Sequence, residues 1–103
     1  MLRYLIPLAL LAGTAAAQGQ QPMAGEGLRV ARQWCASCHI VSRDMPPLAT
    51  DVAPTFPGIA ARPTTTETGL RVFLQTPHAN MPNWQLSQTE LDVLVAHILS
   101  LGR

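Results

Sequence analysis

The sequence of 103 residues contains no lysine, and all seven of its basic side chains are arginine. Against six acidic residues the formal net charge is +1, and charged residues make up only 13% of the chain. A nucleic-acid-binding face needs a basic stripe and a membrane-surface patch needs a polybasic cluster; neither is present. A partner surface built on a ring of lysines is excluded as well. Contacts with other proteins must be more apolar or use scattered arginines such as Arg29, Arg32, Arg43, Arg62 and Arg71. Two cysteines are too few for a disulfide-rich scaffold. No segment shows the polar/apolar alternation of a strand, and there is no internal repeat.

Long apolar runs are missing too, with one exception. Leu5 to Ala12 is apolar, Arg3 precedes it, and Ala15-Ala16-Ala17 is a small-residue cleavage signature. The run is short against the roughly 20 residues of a membrane span. Residues 1–17 are therefore expected to be a cleaved signal peptide, with an uncleaved anchor as the alternative reading, and the mature protein to be periplasmic. Residues 18–25 read as a flexible mature N-terminus and 26–103 as one domain. A domain this small buries a modest fraction of its surface and gains from a staple; a large apolar cofactor held covalently would supply one.

Periodicity and punctuation give three helices and two long loops, an all-α domain. Glu26 to Trp34 suits a helix, with Leu28, Ala31 and Cys35 near one face. Ile40 to Pro63 carries Pro46, Pro47, Pro54, Pro57 and Pro63, a density that forbids any long regular element. A loop of that length implies function, or an object to wrap around. Thr66 to Gln75 is helical, capped by Thr66 and ended by Pro77. Another loop, His78 to Leu86, contains Met81-Pro82-Asn83-Trp84. The last helix opens with the capping box Ser87-Gln88-Thr89-Glu90. It continues with Leu91, Leu94, Val95, Ile98 and Leu99 on one stripe, and Gly102 stands where a C-cap glycine belongs.

The chemistry concentrates in Cys35-Ala36-Ser37-Cys38-His39. C-x-x-C-H is the attachment signature of c-type haem. Two thiols at this spacing can each form a thioether with one porphyrin vinyl group, and His39 then offers its imidazole to the iron. A structural disulfide fits an oxidising compartment, a thioredoxin-like pair needs a βαβ context that is absent, and zinc needs four ligands. One covalent haem agrees best with the export signal, the small size and the proline-rich loops.

A second axial ligand decides between electron transfer and an open, reactive iron. The candidates are Met23, Met45, Met81, His78 and His97. Met45 is too close to His39 to reach the opposite haem face, and Met23 lies in the N-terminal tail. Met81 is far downstream in a loop that Pro82 stiffens, so the metal ligands are expected to be His39 and Met81. His78 in the same loop is the rival. His97, beside the apolar stripe, reads as a packed side chain with a satisfied nitrogen.

With these residues placed, the chain from about Gly27 to Leu101 resembles the small class I monohaem cytochromes c of bacteria. The resemblance rests on Gly27, Cys35 to His39, Ala53-Pro54-Thr55-Phe56, His78-Ala79-Asn80-Met81-Pro82-Asn83 and the closing stretch from Leu86. It implies a cytochrome c-like fold in which the first and last helices cross near Gly27. It implies that the Pro54 carbonyl accepts from the outer ring nitrogen of His39, and that Phe56 and Ile59 line the haem pocket. Trp84 approaches a haem propionate or simply packs. Two positions depart from the family: Ala31 and His97 stand where aromatic residues are common, which weakens the usual helix–helix contact.

The function expected is a periplasmic one-electron carrier, a monomer and not an enzyme, whose partners are donor and acceptor redox proteins: a quinol-oxidising complex or periplasmic dehydrogenase on one side, a terminal acceptor on the other. The alternatives are a dedicated haem subunit of one dehydrogenase or oxidase, and a haem enzyme or gas-binding protein with a labile sixth ligand.

Overall fold

The structure, a computed structural model, describes residues 23–48 and 53–102, with Tyr4 and Pro7 besides. The expected signal peptide, Tyr4 and Pro7 apart, and most of the expected flexible segment lie outside the described residues. Four helices follow one another: α1 (Met23–Trp34), α2 (Phe56–Ala61), α3 (Glu67–Leu74) and α4 (Gln88–Ser100). No strand occurs among the described residues, and no helix among them is long and apolar enough to cross a membrane.

Two boundaries differ from the sequence reading. Helix α1 begins at Met23, so residues 23–25, expected to be flexible, belong to it. Glu26 in its first turn and Arg32 in its last complement the helix dipole. The proline-rich stretch also holds a helix, α2, which makes a fourth where three were expected. Proline is harmless in a first turn, where its missing N–H would have no partner anyway. Pro57 sits there, and the Thr55 hydroxyl caps the end by accepting from the Gly58 amide at 3.0 Å.

Helix α3 starts at its expected cap, with Thr66 accepting from the Gly69 amide at 3.0 Å. In α4 the capping box is complete: the Ser87 hydroxyl accepts from the Glu90 amide at 3.1 Å, and Glu90 accepts from the Ser87 amide at 3.0 Å. The first hydrogen bond draws on an amide the helix leaves unpaired, and the second on the cap residue's own amide. The Ser87 amide first, and then the Ser87 side chain, hold the Glu90 carboxyl below its ordinary range.

Helix α1 packs across α4. A Cβ at Gly27 would fall 2.0 Å from the Val93 carbonyl oxygen and 2.5 Å from His97 Cβ. Only glycine permits this approach, which lets Val30 and Ala31 bury completely against Val93, Leu94 and Ile98. The core is thus small, and α4 is its centre. Gly102 differs from its expected role. No glycine among the described residues has a positive φ, and the α4 C-cap is Leu101 in right-handed helical conformation. Gly102 instead lies against α2, where a Cβ would come 2.8 Å from the Ala60 carbonyl oxygen.

Candidate functional site

The five residues from Cys35 continue the last turn of α1. The Cys35 amide bonds the Ala31 carbonyl at 2.8 Å, and the Cys35 carbonyl accepts from the amides of Cys38 at 3.2 Å and His39 at 2.9 Å. This tight turn brings both thiols and the imidazole to one wall of a cleft. Cys35 is buried, Cys38 is exposed, and neither is bridged. Burial pushes the Cys35 thiol up to about 11, so it stays protonated at neutral pH.

His39 is fixed by a hydrogen bond of 2.6 Å between Nδ1 and the Pro54 carbonyl oxygen. A carbonyl only accepts, so Nδ1 carries the proton and Nε2 keeps the lone pair a metal needs. Phe56 supports the ring from one side, with centroids 5.3 Å apart. The Phe56 amide meanwhile bonds the Ile40 carbonyl at 2.8 Å. The start of α2 and the segment after His39 are therefore tied to each other twice, through backbone and ring.

The cleft holds about 530 Å³, within the range of cofactor sites. It brings together Cys35, Cys38, His39, Pro54, Phe56, Ile59, Met81 and Trp84, every site residue singled out in the sequence. Leu70, Phe73, Leu74 and Ile98 extend its apolar lining, and sequence reasoning did not single these out as site residues. The helical spacing of Leu70, Phe73 and Leu74 marked an apolar face without saying what it faces. Arg62, Thr64, Thr65 and Thr66 make a polar sector; among the described residues Arg62 is the only Lys or Arg in the lining, and none of them brings a carboxylate to it.

Met81 sits at the end of a tight turn. A single antiparallel bridge joins His78 to Met81, and Asn80 between them has φ 63°. Asparagine is one of the few side chains that tolerates this left-handed conformation. His78, the rival ligand, stacks on Phe73 with centroids 3.7 Å apart and planes inclined by 15°. Met45 is engaged elsewhere, its sulfur accepting from the Val41 amide at 3.4 Å. Met23 opens α1, and His97 is buried in the α1–α4 interface, away from the lining. Trp84 packs on Trp34 with centroids 5.0 Å apart and is 43% exposed. The buried Trp34 indole N–H faces the Glu90 carboxylate without reaching hydrogen-bond geometry.

These features match a haem. Such a group is largely apolar, with two vinyl carbons for thiols and two carboxylates. The cleft offers two cysteines, the His39 imidazole with Nε2 facing no hydrogen-bond donor among the described residues, the Met81 thioether, an apolar lining and a polar sector with the Arg62 cation. Among the described residues no group of three or more His, Cys, Asp or Glu side chains could hold a metal ion by itself. A second cleft, of about 470 Å³, is lined by the Arg71–Asp92 ion pair of 2.6 Å, and the Ser100 hydroxyl at its wall donates to the His97 carbonyl at 2.6 Å.

Comparison with known proteins agrees with the geometry. Residues 22–98 match the family described as cytochrome C oxidase, cbb3-type, subunit III. A relative from Bradyrhizobium diazoefficiens, cytochrome c-552, is 42% identical over 78 residues, covering 76% of this chain and 74% of the relative. No solved structure matches significantly.

Proposed function

The chain belongs to the small monohaem class I cytochromes c, haem-binding electron carriers, and from that premise we propose that it is a periplasmic carrier with one covalent haem, ligated by His39 and Met81. The observation that carries this reading is the convergence of Cys35, Cys38, His39 and Met81 on one cleft. Haem bound there supplies a one-electron iron couple, and His/Met ligation raises its potential.

The chain's own residues do the rest. Cys35 and Cys38 would hold the group covalently: each thiol S–H could add across one vinyl C=C, sulfur to one carbon and hydrogen to the other, with no oxidant needed. The Pro54 carbonyl holds the His39 ring in the tautomer that presents Nε2. Phe56, Ile59 and Leu70 line the cleft and would exclude water from the bound group. Arg62 would offer a cation to its carboxylates. The carrier is read as a monomer that accepts electrons from a quinol-oxidising complex or periplasmic dehydrogenase and delivers them to a terminal acceptor.

Optical spectra of the mature protein, made with haem-attachment machinery, test this directly. Expected are a Soret band and, in the oxidised form, the long-wavelength charge-transfer band of methionine ligation. Absence of both would refute the assignment. A second reading, a haem subunit held by one oxidase, is favoured by the matching family, described as a subunit of a cbb3-type cytochrome c oxidase. Co-purification with an oxidase at high salt would select it over a free carrier, and elution as a free monomer on sizing would exclude it.

A further inference from the structure

His97 stands where the family commonly places an aromatic residue, and the structure gives it specific work. It is 5% exposed. Its Nε2 lies 2.7 Å from the carbonyl oxygen of Val41, 56 positions away. Val41 follows His39 by two residues. Because the carbonyl only accepts, Nε2 must carry the proton. On the far side the His97 ring faces Phe56, with centroids 6.4 Å apart, and Phe56 faces His39 at 5.3 Å.

The segment after His39 is therefore held from three directions. The Phe56 amide holds the Ile40 carbonyl, Met45 sulfur holds the Val41 amide, and His97 holds the Val41 carbonyl. Of these three, His97 is the side chain that joins the segment to α4. The glycine crossing at Gly27 sits over its Cβ, so the imidazole has little freedom to turn away.

We propose that His97 is a positioning residue for the axial ligand: through Val41 and Phe56 it sets the orientation of the His39 imidazole and so the reduction potential. This rests on the haem reading above. Partners one step removed from a metal ligand tune the metal by fixing ligand orientation and basicity. Phenylalanine at 97 would fill the same space and leave the Val41 carbonyl without this donor. The role therefore belongs to the histidine and goes beyond aromatic packing between helices.

The test compares His97→Gln, whose terminal amide can donate at the reach of Nε2, with His97→Asn, which is one methylene shorter. Both are measured as haem-loaded protein by spectroelectrochemical titration. At a fixed ambient potential, His97→Asn is expected to shift the reduced-to-oxidised ratio roughly threefold or more, and His97→Gln to restore it toward wild type. Equal shifts in the two variants, or a lowered melting temperature with an unmoved potential in His97→Asn, would overturn the proposal and leave His97 a packing residue. Should His97→Asn fail to fold, nitrogen-15 NMR of the wild-type ferrous protein decides. A proton on Nε2, slow to exchange, supports the link, and a proton on Nδ1 instead refutes it. Failure of wild-type protein to carry haem would count against the haem reading itself, a separate outcome.

Discussion

The Nδ1 atom of His39 and the carbonyl oxygen of Pro54 lie 2.6 Å apart. This contact joins the end of the C-x-x-C-H turn to the residue just before the cap of α2. It decides which nitrogen of His39 is free, and it explains why a proline-rich stretch must be followed by an ordered turn of helix. The Thr55 cap and the Phe56 amide fix the backbone on which that carbonyl is carried.

Replacing Met81 by Ala is expected to abolish the methionine-to-iron charge-transfer band of the oxidised protein and to lower its potential, since methionine ligation raises it. Rapid carbon monoxide binding by the ferrous variant, absent in wild type, completes the expected pattern. An unchanged spectrum would assign the ligand elsewhere, with His78 next in line.

The two thiols are expected to act independently in holding the cofactor. Denaturing electrophoresis with haem staining should retain colour on the chain in Cys35→Ala and in Cys38→Ala, and lose it only in the double variant. Colour lost from wild type on denaturation would mean that no thioether forms.

Gly27→Ala is a packing test. Alanine gains up to about 1 kcal/mol in helix propensity over glycine. The added methyl, however, would stand 2.0 Å from the Val93 carbonyl oxygen, a backbone atom that cannot rotate away. A net loss of about 2 kcal/mol or more is expected from forced separation of α1 and α4, read by chemical denaturation.

Ser87→Ala removes the hydroxyl side of the cap while keeping the backbone amide that Glu90 accepts from, and should cost about 1 kcal/mol. It also changes the acid limb of stability. The folded Glu90 carboxyl is held below its ordinary value of 4.5, first by the Ser87 backbone and then by its side chain. A depressed carboxyl contributes stability that is complete above its unfolded pKa and is lost as pH falls through the folded one. Only the hydroxyl's share of that depression is removed by Ser87→Ala, so wild type should lose stability slightly more steeply than the variant on acidification below that value. Parallel acid limbs in the two proteins would contradict this account.

Electron exchange with a redox partner should depend weakly on ionic strength. Steered pairs lose roughly 10- to 10³-fold in association rate as salt rises, but this chain has no lysine and a net charge of +1. Stopped-flow reduction at low and high salt checks it. A steep decline would reveal a charged docking face among the arginines.

Much of this protein was legible before any coordinate. The C-x-x-C-H turn, the Ser87–Glu90 cap and the Thr66 cap each lie within one turn of chain, so covalent spacing and local hydrogen bonding suffice to specify them. Gly27 was recognisable through the family pattern, though its reason, contact with Val93 and His97, is tertiary. Other features have no local signature. The short helix α2 was hidden because proline at a first turn and proline in a loop look alike in sequence. A glycine just after a helix usually caps it, whereas Gly102 makes room for Ala60. The Trp34–Trp84 pair and the bond from His97 to Val41 join residues far apart in the chain. Such contacts exist only because α4 crosses α1 at one particular height, and that height is set by packing across the whole core rather than by any short stretch of residues.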